Sequence, residues 1–421
     1  MSNHTLLPAL RFPEFVNEGE WEENQLSVIA NITMGSSPSS TSYNENKIGL
    51  PLLQGNADIK NRLSSPRIYT TEITKECEIG DILLSVRAPV GTVAKSLHNA
   101  CIGRGISSLR VKNPNSQEYL YQWLFSYEIH WHNISQGGTF DAVNSDDIRS
   151  LSVPKPKPEE QQKIAACLSS LDEVITAHSQ KLDLLKSHKK GLLQNLFPQA
   201  GEMIPKWRFK EFEKDGAWVE RTLIDTADKK VKWSFTGGPF GSNLMASDYT
   251  KSGLRIIQLQ NIGDGVFNDD NKIYTSIEKA DELLSCNIYA GDIIISKMGD
   301  PVGRACIIPE NLHRCIMASD GIRLVVDETK YSKYFIYLLL NSEGIREVIE
   351  KRATGSTRKR IGLDTLREIE LIVPKSPKEQ QKIASCLSSL DALITAQAEK
   401  IEQLKLHKKG LMQGLFPTIK N

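Results

Sequence analysis

The chain has 421 residues, room for about two to four domains, and its 40% hydrophobic and 24% charged residues are typical of a soluble globular protein. The formal net charge is only +1, so any surface for an acidic partner must be a local patch. The sequence contains no secretory signal and no apolar run near the ~18 residues of a membrane span. Its seven cysteines form no Cys-x-x-Cys motif, so we expect a cytoplasmic protein with reduced cysteines.

Residues 1–155 predict a mixed α/β domain. Asp81–Val86 has the composition of a strand, and Gln117–His130 has the apolar spacing of a helix. Glycine- and serine-rich loops are expected at Met34–Ser40 and at Gln136–Phe140.

Residues 156–198 predict one long helix. Pro158 stands where a first helical turn tolerates proline, and acidic residues follow it. Apolar residues then recur at steps of four and three, which is a heptad seam that needs a partner helix. The seam positions are Ile164, Leu168, Leu171, Ile175, Leu182 and Leu185, followed by Leu192 and Leu196. His178 and Lys189 interrupt the seam, and polar residues there usually fix register or partner number at some cost in stability.

Residues 199–374 predict a second mixed α/β domain. Strands are expected at Leu254–Leu259 and Asp292–Ser296, a helix at Ser332–Lys351 and a glycine-rich loop at Thr236–Ser242.

The second domain ends in a basic loop, Lys351–Arg360, with five cations among ten residues. Glycine and small hydroxyl side chains accompany the cations, which suits close approach to phosphates. A solvated surface loop is the alternative. We favour DNA contact because the charge is concentrated in an otherwise neutral chain.

Residues 375–421 predict a second long helix that nearly copies the first. Glu379–Pro417 aligns without gaps to Glu160–Pro198, with 27 of 39 positions identical. Its seam is Ile383, Leu387, Leu390, Ile394, Ile401 and Leu404, followed by Leu411 and Leu415, with Gln397 and Lys408 as interruptions. The lysine-rich stretches 186–190 and 405–409 are interpreted as solvated helix ends rather than phosphate contacts.

An internal repeat of this kind decides the architecture. Weaker sequence similarity is found at the start of each half, between Pro8–Phe15 and Pro205–Phe212, and at one shared predicted strand, between Gly80–Ser85 and Gly291–Ser296. We therefore predict an α+β protein whose two mixed α/β domains are separated by two long helices. The helices are expected to pair as an antiparallel coiled coil with pseudo-twofold symmetry.

Searches for catalytic motifs find none. The sequence has no Gly-x-x-x-x-Gly-Lys-Ser/Thr loop, no Asp/Asn-Pro-Pro-Tyr/Phe motif and no Gly-x-Gly-x-x-Gly after a strand. His130 and His132 form a metal-like pair without further ligands, so a surface helix end is favoured. Trp131, Phe140 and Phe240 could stack on bases, although core packing is the commoner role of an aromatic side chain.

The layout closely resembles the specificity subunit of type I restriction-modification systems. The resemblance depends on the twin motifs Glu-Gln-Gln-Lys-Ile and Lys-Lys-Gly-Leu-x-Gln-x-Leu-Phe-Pro, and it covers nearly the whole chain. Further landmarks are Arg11–Phe15, Gly35–Pro38, Gly80–Leu83 and Gly238–Ser242.

This resemblance implies a non-catalytic subunit whose domains each read half of a split DNA target. The helices would act as a ruler and dock two methyltransferase subunits, which bind S-adenosylmethionine, while restriction subunits would add ATP- and magnesium-dependent cleavage. Candidate DNA contacts are Ser36, Ser37, Tyr43, Thr139, Phe140, Phe240, Ser242, Arg352, Arg358, Lys359 and Arg360. Candidate docking residues are Glu160, Gln162, Glu379 and Gln381.

Two other functions remain open from the sequence. One is a scaffold whose coiled coil joins two protein- or glycan-binding modules, and the basic loop argues against it. The other is a stand-alone modification enzyme or nuclease, and the missing cofactor motifs argue against that.

Overall fold

The computed structural model describes residues 6–131, 142–199, 201–355 and 358–417. The chain forms two compact units, Met1–Lys181 with Gln397–Asn421, and Leu182–Ala396. The division falls inside each long helix. Each unit therefore contains one predicted domain, the start of one long helix and the end of the other.

In the first unit, strands form a six-stranded, a five-stranded and a two-stranded sheet. The six-stranded order is Ala30–Met34, Ile106–Val111, Ile82–Ser85, Val93–Lys95, Leu63–Ser64, Ile59–Lys60. The five-stranded order is Tyr43–Asn44, Ile68–Thr70, Leu50–Leu53, Ala100–Ile102, Glu76–Cys77, and the pair is Glu22–Gln25 with Ser152–Lys155.

The second unit has the same plan with a smaller first sheet. The four-stranded order is Phe235–Gly237, Gly321–Leu324, Ile293–Ser296, Ala305–Ile307. The five-stranded order is Tyr249–Thr250, Ile273–Thr275, Leu254–Ile257, Arg314–Met317, Asn287–Tyr289, and the pair is Val219–Thr222 with Glu370–Val373.

The strand shared by the two halves lies in the middle of each larger core. Every residue of Ile82–Ser85 and of Ile293–Ser296 is buried. A strand covered on both faces needs apolar residues on both, which explains the unbroken runs of isoleucine and leucine.

Short helices complete the two units. They are Leu26–Ile29, Gln117–Tyr127, Ser145–Arg149, Ile277–Glu282, Lys333–Leu340, Glu343–Arg352 and Leu363–Arg367. Single 3₁₀ turns lie at Pro13–Phe15, Ser40–Ser42, Asn56–Asp58, Glu128–His130, Lys210–Phe212, Leu223–Thr226, Ala246–Asp248, Leu259–Asn261 and Leu284–Cys286.

The prediction of one continuous helix at Ser332–Lys351 is wrong, because two helices occupy this range. The break is at Asn341, whose side chain pairs with the backbone of Ala305 in both directions at 3.0 and 3.2 Å. The same amide also donates to the Tyr337 carbonyl at 3.1 Å, and an asparagine side chain that bonds the backbone four residues earlier competes with continuation of the helix.

The two long helices are Pro158–Leu196 and Pro377–Leu415. In the first unit, Ile164 and Leu168 from the start of one helix share a core with Met412 and Leu415 from the end of the other. In the second unit, Leu196 shares a core with Ile383 and Leu387. Start meets end in both units, so the prediction of antiparallel pairing is confirmed.

Polar residues of the seam bind across the helix pair. Lys408 contacts both carboxylate oxygens of Asp172 at 2.7 Å in the first unit, and Lys189 contacts Asp391 at 2.5 Å in the second. These two lysines were predicted to lie in solvated helix ends, and that interpretation is wrong for them, because each pairs with an aspartate of the other helix and only 24% of the Lys189 side chain and 7% of the Lys408 side chain are exposed. Burial lowers the pKa of Lys408, although the hydrogen bond to Asp172 opposes this effect.

A third polar contact joins His178 and Gln397. The Gln397 amide nitrogen lies 2.7 Å from His178 Nδ1 and donates to the His178 carbonyl at 2.8 Å. The two residues are 219 positions apart, which is also the offset between the helix copies. Within the described ranges, none of the helices has the length and apolarity to cross a bilayer.

Candidate nucleic-acid interface

A buried ion pair attaches the first segment of each domain to the start of a long helix. Arg11 donates from Nε and Nη2 to the two oxygens of Glu160, both at 2.8 Å, and Trp21 Nε1 donates to the same carboxylate at 3.1 Å. Arg208 and Trp218 repeat this arrangement on Glu379, at 2.7, 2.8 and 3.1 Å. The hydrogen bond to its glutamate raises the pKa of each arginine.

These contacts change the interpretation of the predicted docking residues. Glu160 and Glu379 are each only 1% exposed, and both oxygens of each are occupied, so neither carboxylate is available to a partner. Gln162 and Gln381 are exposed on the helix surface. The interior carboxylates of Glu160 and Glu379 hold the Arg-Phe-x-Glu-Phe segments, which explains why these short motifs occur once in each half.

In the first domain, the predicted contacts Ser36 and Ser37 lie on a loop that is anchored to the backbone of Gly103 and Ile106. Gly35 donates to the Ile106 carbonyl at 2.9 Å, and a Cβ on it would lie 2.1 Å from the Gly103 oxygen, so only glycine fits. Ser36 is exposed, while Ser37 Oγ accepts from the Arg104 amide at 3.1 Å.

Tyr43 lies behind this loop rather than at its surface. Its half-buried hydroxyl donates to the Pro38 carbonyl at 3.1 Å and accepts from Gln54 Nε2 at 3.0 Å. The hydroxyl therefore braces the loop. Thr139 and Phe140, the other candidates in this domain, lie outside the described residues.

Two exposed arginines of the first domain accompany the serine loop, and sequence reasoning missed both. Arg104 follows directly on the glycine that Gly35 contacts, and Arg87 stands two residues after the shared strand Ile82–Ser85. The signal was present, because the second domain also has a cation, Lys297, just after the same strand.

In the second domain, the basic loop is a hairpin that pairs with the segment after the shared strand. Thr354 and Arg360 exchange backbone hydrogen bonds at 2.8 and 2.9 Å, and Met298 bridges to Arg360. Ile361 donates to the Lys297 carbonyl at 2.9 Å, just as Val143 donates to that of Val86 at 3.1 Å in the first domain. The segment after the shared strand therefore carries a cation in both domains, Arg87 in the first and Lys297 in the second.

The cations of the hairpin differ in how far they are engaged. Lys359 pairs with Glu350 at 2.7 Å, Arg360 lies 3.5 Å from Asp320, and Arg352 donates to the Glu368 carbonyl at 3.1 Å. Arg358 is exposed. Exposed pairs of this kind are weak and exchange readily for phosphate contacts. Ser356 and Thr357 lie outside the described residues.

The glycine-rich loop of the second domain approaches the same surface. Gly238 donates to the Gly321 carbonyl at 2.8 Å, and a Cβ on it would lie 1.8 Å from the Ala318 oxygen. The turn Ala318–Gly321 contains Asp320, so it lies between this loop and the hairpin. Phe240 is 83% exposed and Ser242 is exposed. The predicted core role of an aromatic therefore applies to Trp131, which is buried, and not to Phe240.

This surface has the chemistry of a polyanion contact. It combines guanidinium, ammonium and hydroxyl groups on loops that the two glycines hold against the underlying backbone. Among the residues that the structure describes, no cluster of three or more His, Cys, Asp or Glu side chains could hold a metal ion.

Comparisons with known proteins agree with this geometry. The family model "Type I restriction modification DNA specificity domain" matches residues 18–187 and 255–406. The type I restriction enzyme MjaIX specificity subunit of Methanocaldococcus jannaschii is 24% identical over 422 residues, covering 94% of this chain and 92% of the relative. The MjaX specificity subunit of the same organism, so described provisionally, is 33% identical over 182 residues, 42% of each chain.

A solved structure has the same fold. The crystal structure of the type I restriction-modification S subunit from M. genitalium superposes with a TM-score of 0.61 at 16% identity, covering 98% of this chain and all of that one.

The two matched regions span well over half of the sequence, and this chain belongs to the DNA specificity subunits of type I restriction-modification systems. Proteins of this family are the DNA-recognition subunits of their systems and are not themselves catalytic.

Proposed function

We propose that this chain reads an asymmetric, bipartite DNA target and docks two methyltransferase subunits on its twin helices. The observation that carries the proposal is the pairing of one repeated helical frame with two unlike loop surfaces. The first domain offers serines with Arg87 and Arg104, and the second offers Phe240 with the basic hairpin. Different surfaces in equivalent places suit different half-sites.

Docking of two copies of one partner is supported by the exposed faces of the helices. Val174 and Leu393 occupy equivalent positions of the repeat and are 42% and 58% exposed. Gln162 and Gln381 form a second equivalent, exposed pair. Because the helix copies are nearly identical, each site fits the same partner. S-adenosylmethionine would bind to that partner, and ATP and magnesium to restriction subunits recruited through it.

The DNA contacts are tested by salt dependence. Alanine at Arg358 and Arg360 should weaken binding and lower the slope of log affinity against log salt by about one per lost phosphate contact. A base contact would instead relax specificity at one position by roughly 1–3 kcal/mol. Lys330→Ala is the control, because this exposed lysine lies beyond the opposite end of the strand Gly321–Leu324. Unchanged affinity and slope in the double variant would remove the hairpin from the interface.

The target architecture is tested by selection from a library of random gaps. Removing one heptad from both helices shortens each by about 10 Å at ~1.5 Å per residue and changes the relative rotation of what lies at its ends. The selected gap should change, or binding should fail. An undivided target, or the same gap at full affinity, would contradict the ruler model.

Docking is tested with Val174→Asp and Leu393→Asp. Each single variant should capture one methyltransferase subunit, and the double variant none, by mass measurement of the purified complex. Ile79→Asp, at a 65% exposed loop residue, is the control. Capture of two subunits by the double variant would place docking elsewhere.

A further inference from the structure

The loop that carries Phe240 is held at both ends and presents its aromatic ring to solvent. Gly238 is pressed against the Ala318 carbonyl, and Leu244 is buried in a small core with Ile256 and Ile316. Asn243 donates to the Phe240 carbonyl at 2.8 Å and closes the turn between these anchors. The ring is therefore 83% exposed on a short, braced turn.

Single exposed apolar side chains are common and need no explanation by themselves. Phe240 differs because of its surroundings. Met245, just beyond the buried Leu244, is 52% exposed and adds a second exposed apolar side chain to this segment. The adjoining turn contains Asp320, which lies 3.5 Å from Arg360 of the basic hairpin. One short turn, Ala318–Gly321, therefore contacts both the loop that carries Phe240 and the basic hairpin.

We infer that Phe240 is a wedge that inserts between two base pairs of the half-site read by the second domain. Apolar side chains inserted in this way partly unstack a base step and kink the duplex by about 20–90°. Cations beside the ring hold the phosphates while the stack opens. A fixed loop suits this task, because a mobile ring would lose more entropy on insertion.

The wedge would act in one half-site only. Gly35 and Gly238 make equivalent contacts, so Ser37 occupies the place of Phe240 in the first domain. Ser37 is small and its hydroxyl is already bonded to Arg104. The first half-site should therefore remain stacked. This inference rests on the proposed function, since it assumes that each domain binds one half-site.

The experiment uses the full chain and the gapped target selected by the wild type, with 2-aminopurine placed in turn at each adenine position of both half-sites. Wild-type binding should raise the fluorescence at one step of one half-site, and energy transfer between end labels should report a bend. Phe240→Ala should abolish both signals and weaken binding roughly 5- to 150-fold, the range for loss of one stacked base. Phe240→Leu should keep much of the bend, because leucine also wedges.

Val266→Ala, at a 55% exposed apolar residue on another loop, is the control and should leave both signals unchanged. If Phe240→Ala bends the DNA and raises the fluorescence as much as the wild type does, the wedge inference is refuted. It is also refuted if this variant binds DNA normally but no longer captures methyltransferase subunits. If the wild type selects no gapped target, the proposed function fails. If it selects one that stays stacked throughout, only the wedge fails.

Discussion

Replacement of Glu160 by glutamine should destabilise the first unit strongly. The amide has nearly the same size but no charge, and it presents an NH₂ group where Arg11 and Trp21 both donate. At least one hydrogen bond is lost, and the Arg11 guanidinium, 8% exposed, is left without its counter-charge. Breaking a buried ion pair from one side costs about 3–5 kcal/mol. For a unit of about 200 residues that corresponds to a fall in Tm of roughly 6–20 °C.

The assay is urea unfolding followed by tryptophan fluorescence, because Trp21 is in the cluster. Glu159→Gln is the matched control. Glu159 is the adjacent, exposed residue in the same helical turn, so the loss of favourable charge near the helix N-terminus is shared by both variants. Glu379→Gln should produce the same loss in the second unit, where Trp218 reports.

A double-mutant cycle adds a second check. Arg11→Met combined with Glu160→Gln should cost less than the sum of the single changes, since the unpaired charge is removed. If Glu160→Gln is as stable as Glu159→Gln but loses capture of methyltransferase subunits, the carboxylate is a docking contact and the structural interpretation is refuted.

The seam, the titration of the core and the isolated chain provide three further predictions. Asp172→Ala should lower the free energy of unfolding by about 3 kcal/mol, because it leaves Lys408 buried and unpaired. Lys408→Met should lower it by less than about 1 kcal/mol, since it removes the buried charge and leaves a carboxylate that is 41% exposed to water. Equal losses of unfolding free energy in urea would contradict this asymmetry. Burial alone would raise the pKa of Glu118, but hydrogen bonds from Lys95 and a neighbouring glutamine lower this pKa overall. The Glu118 carboxylate therefore stabilises the fold at any pH above its unfolded pKa, and this stabilisation is lost as pH falls through its folded pKa. Lys95→Met should therefore reduce stability at pH 7, and its difference from the wild type should shrink as pH falls below the ordinary pKa of a glutamate; a difference that stays constant as the solution is acidified would be inconsistent with the pair. The isolated chain should show no methyltransferase, ATPase or nuclease activity, and methylation of DNA with S-adenosylmethionine alone would contradict this.

The helical frame could be predicted from the sequence because its signals are local and repeated. Pro158 and Pro377 mark the helix starts, and the gapless copy shows that both helices share one seam. Antiparallel pairing followed from the repeat, and it is confirmed by the shared cores.

The polar residues of the seam were recognised as interruptions but not as pairs. Asp172 lies one position off the apolar pattern, so nothing in the heptad spacing indicated that Lys408 would reach it. The break at Asn341 was missed for a similar reason, since the backbone it binds belongs to a strand 36 residues away. Long-range contacts of this kind leave little trace in local periodicity.

The candidate site was predicted unevenly. The basic hairpin was recognised from charge density alone, whereas Arg87 and Arg104 are single cations whose importance depends on the loops around them. Glu160 was assigned to docking because it lies in the most repeated motif. Its burial shows that repetition can also record an internal contact used twice.

The contact between His178 and Gln397 has a consequence for how such a chain can evolve. Every other cross-helix pair described here exists in two versions, because both helix copies carry the aspartate and the lysine. Recombination that overwrote one coding repeat with the other would therefore leave the Asp–Lys pairs intact. Only the position that faces its own copy would become a like pair, histidine against histidine or glutamine against glutamine. The two helices can thus be exchanged or homogenised during descent while the loops they carry diverge freely.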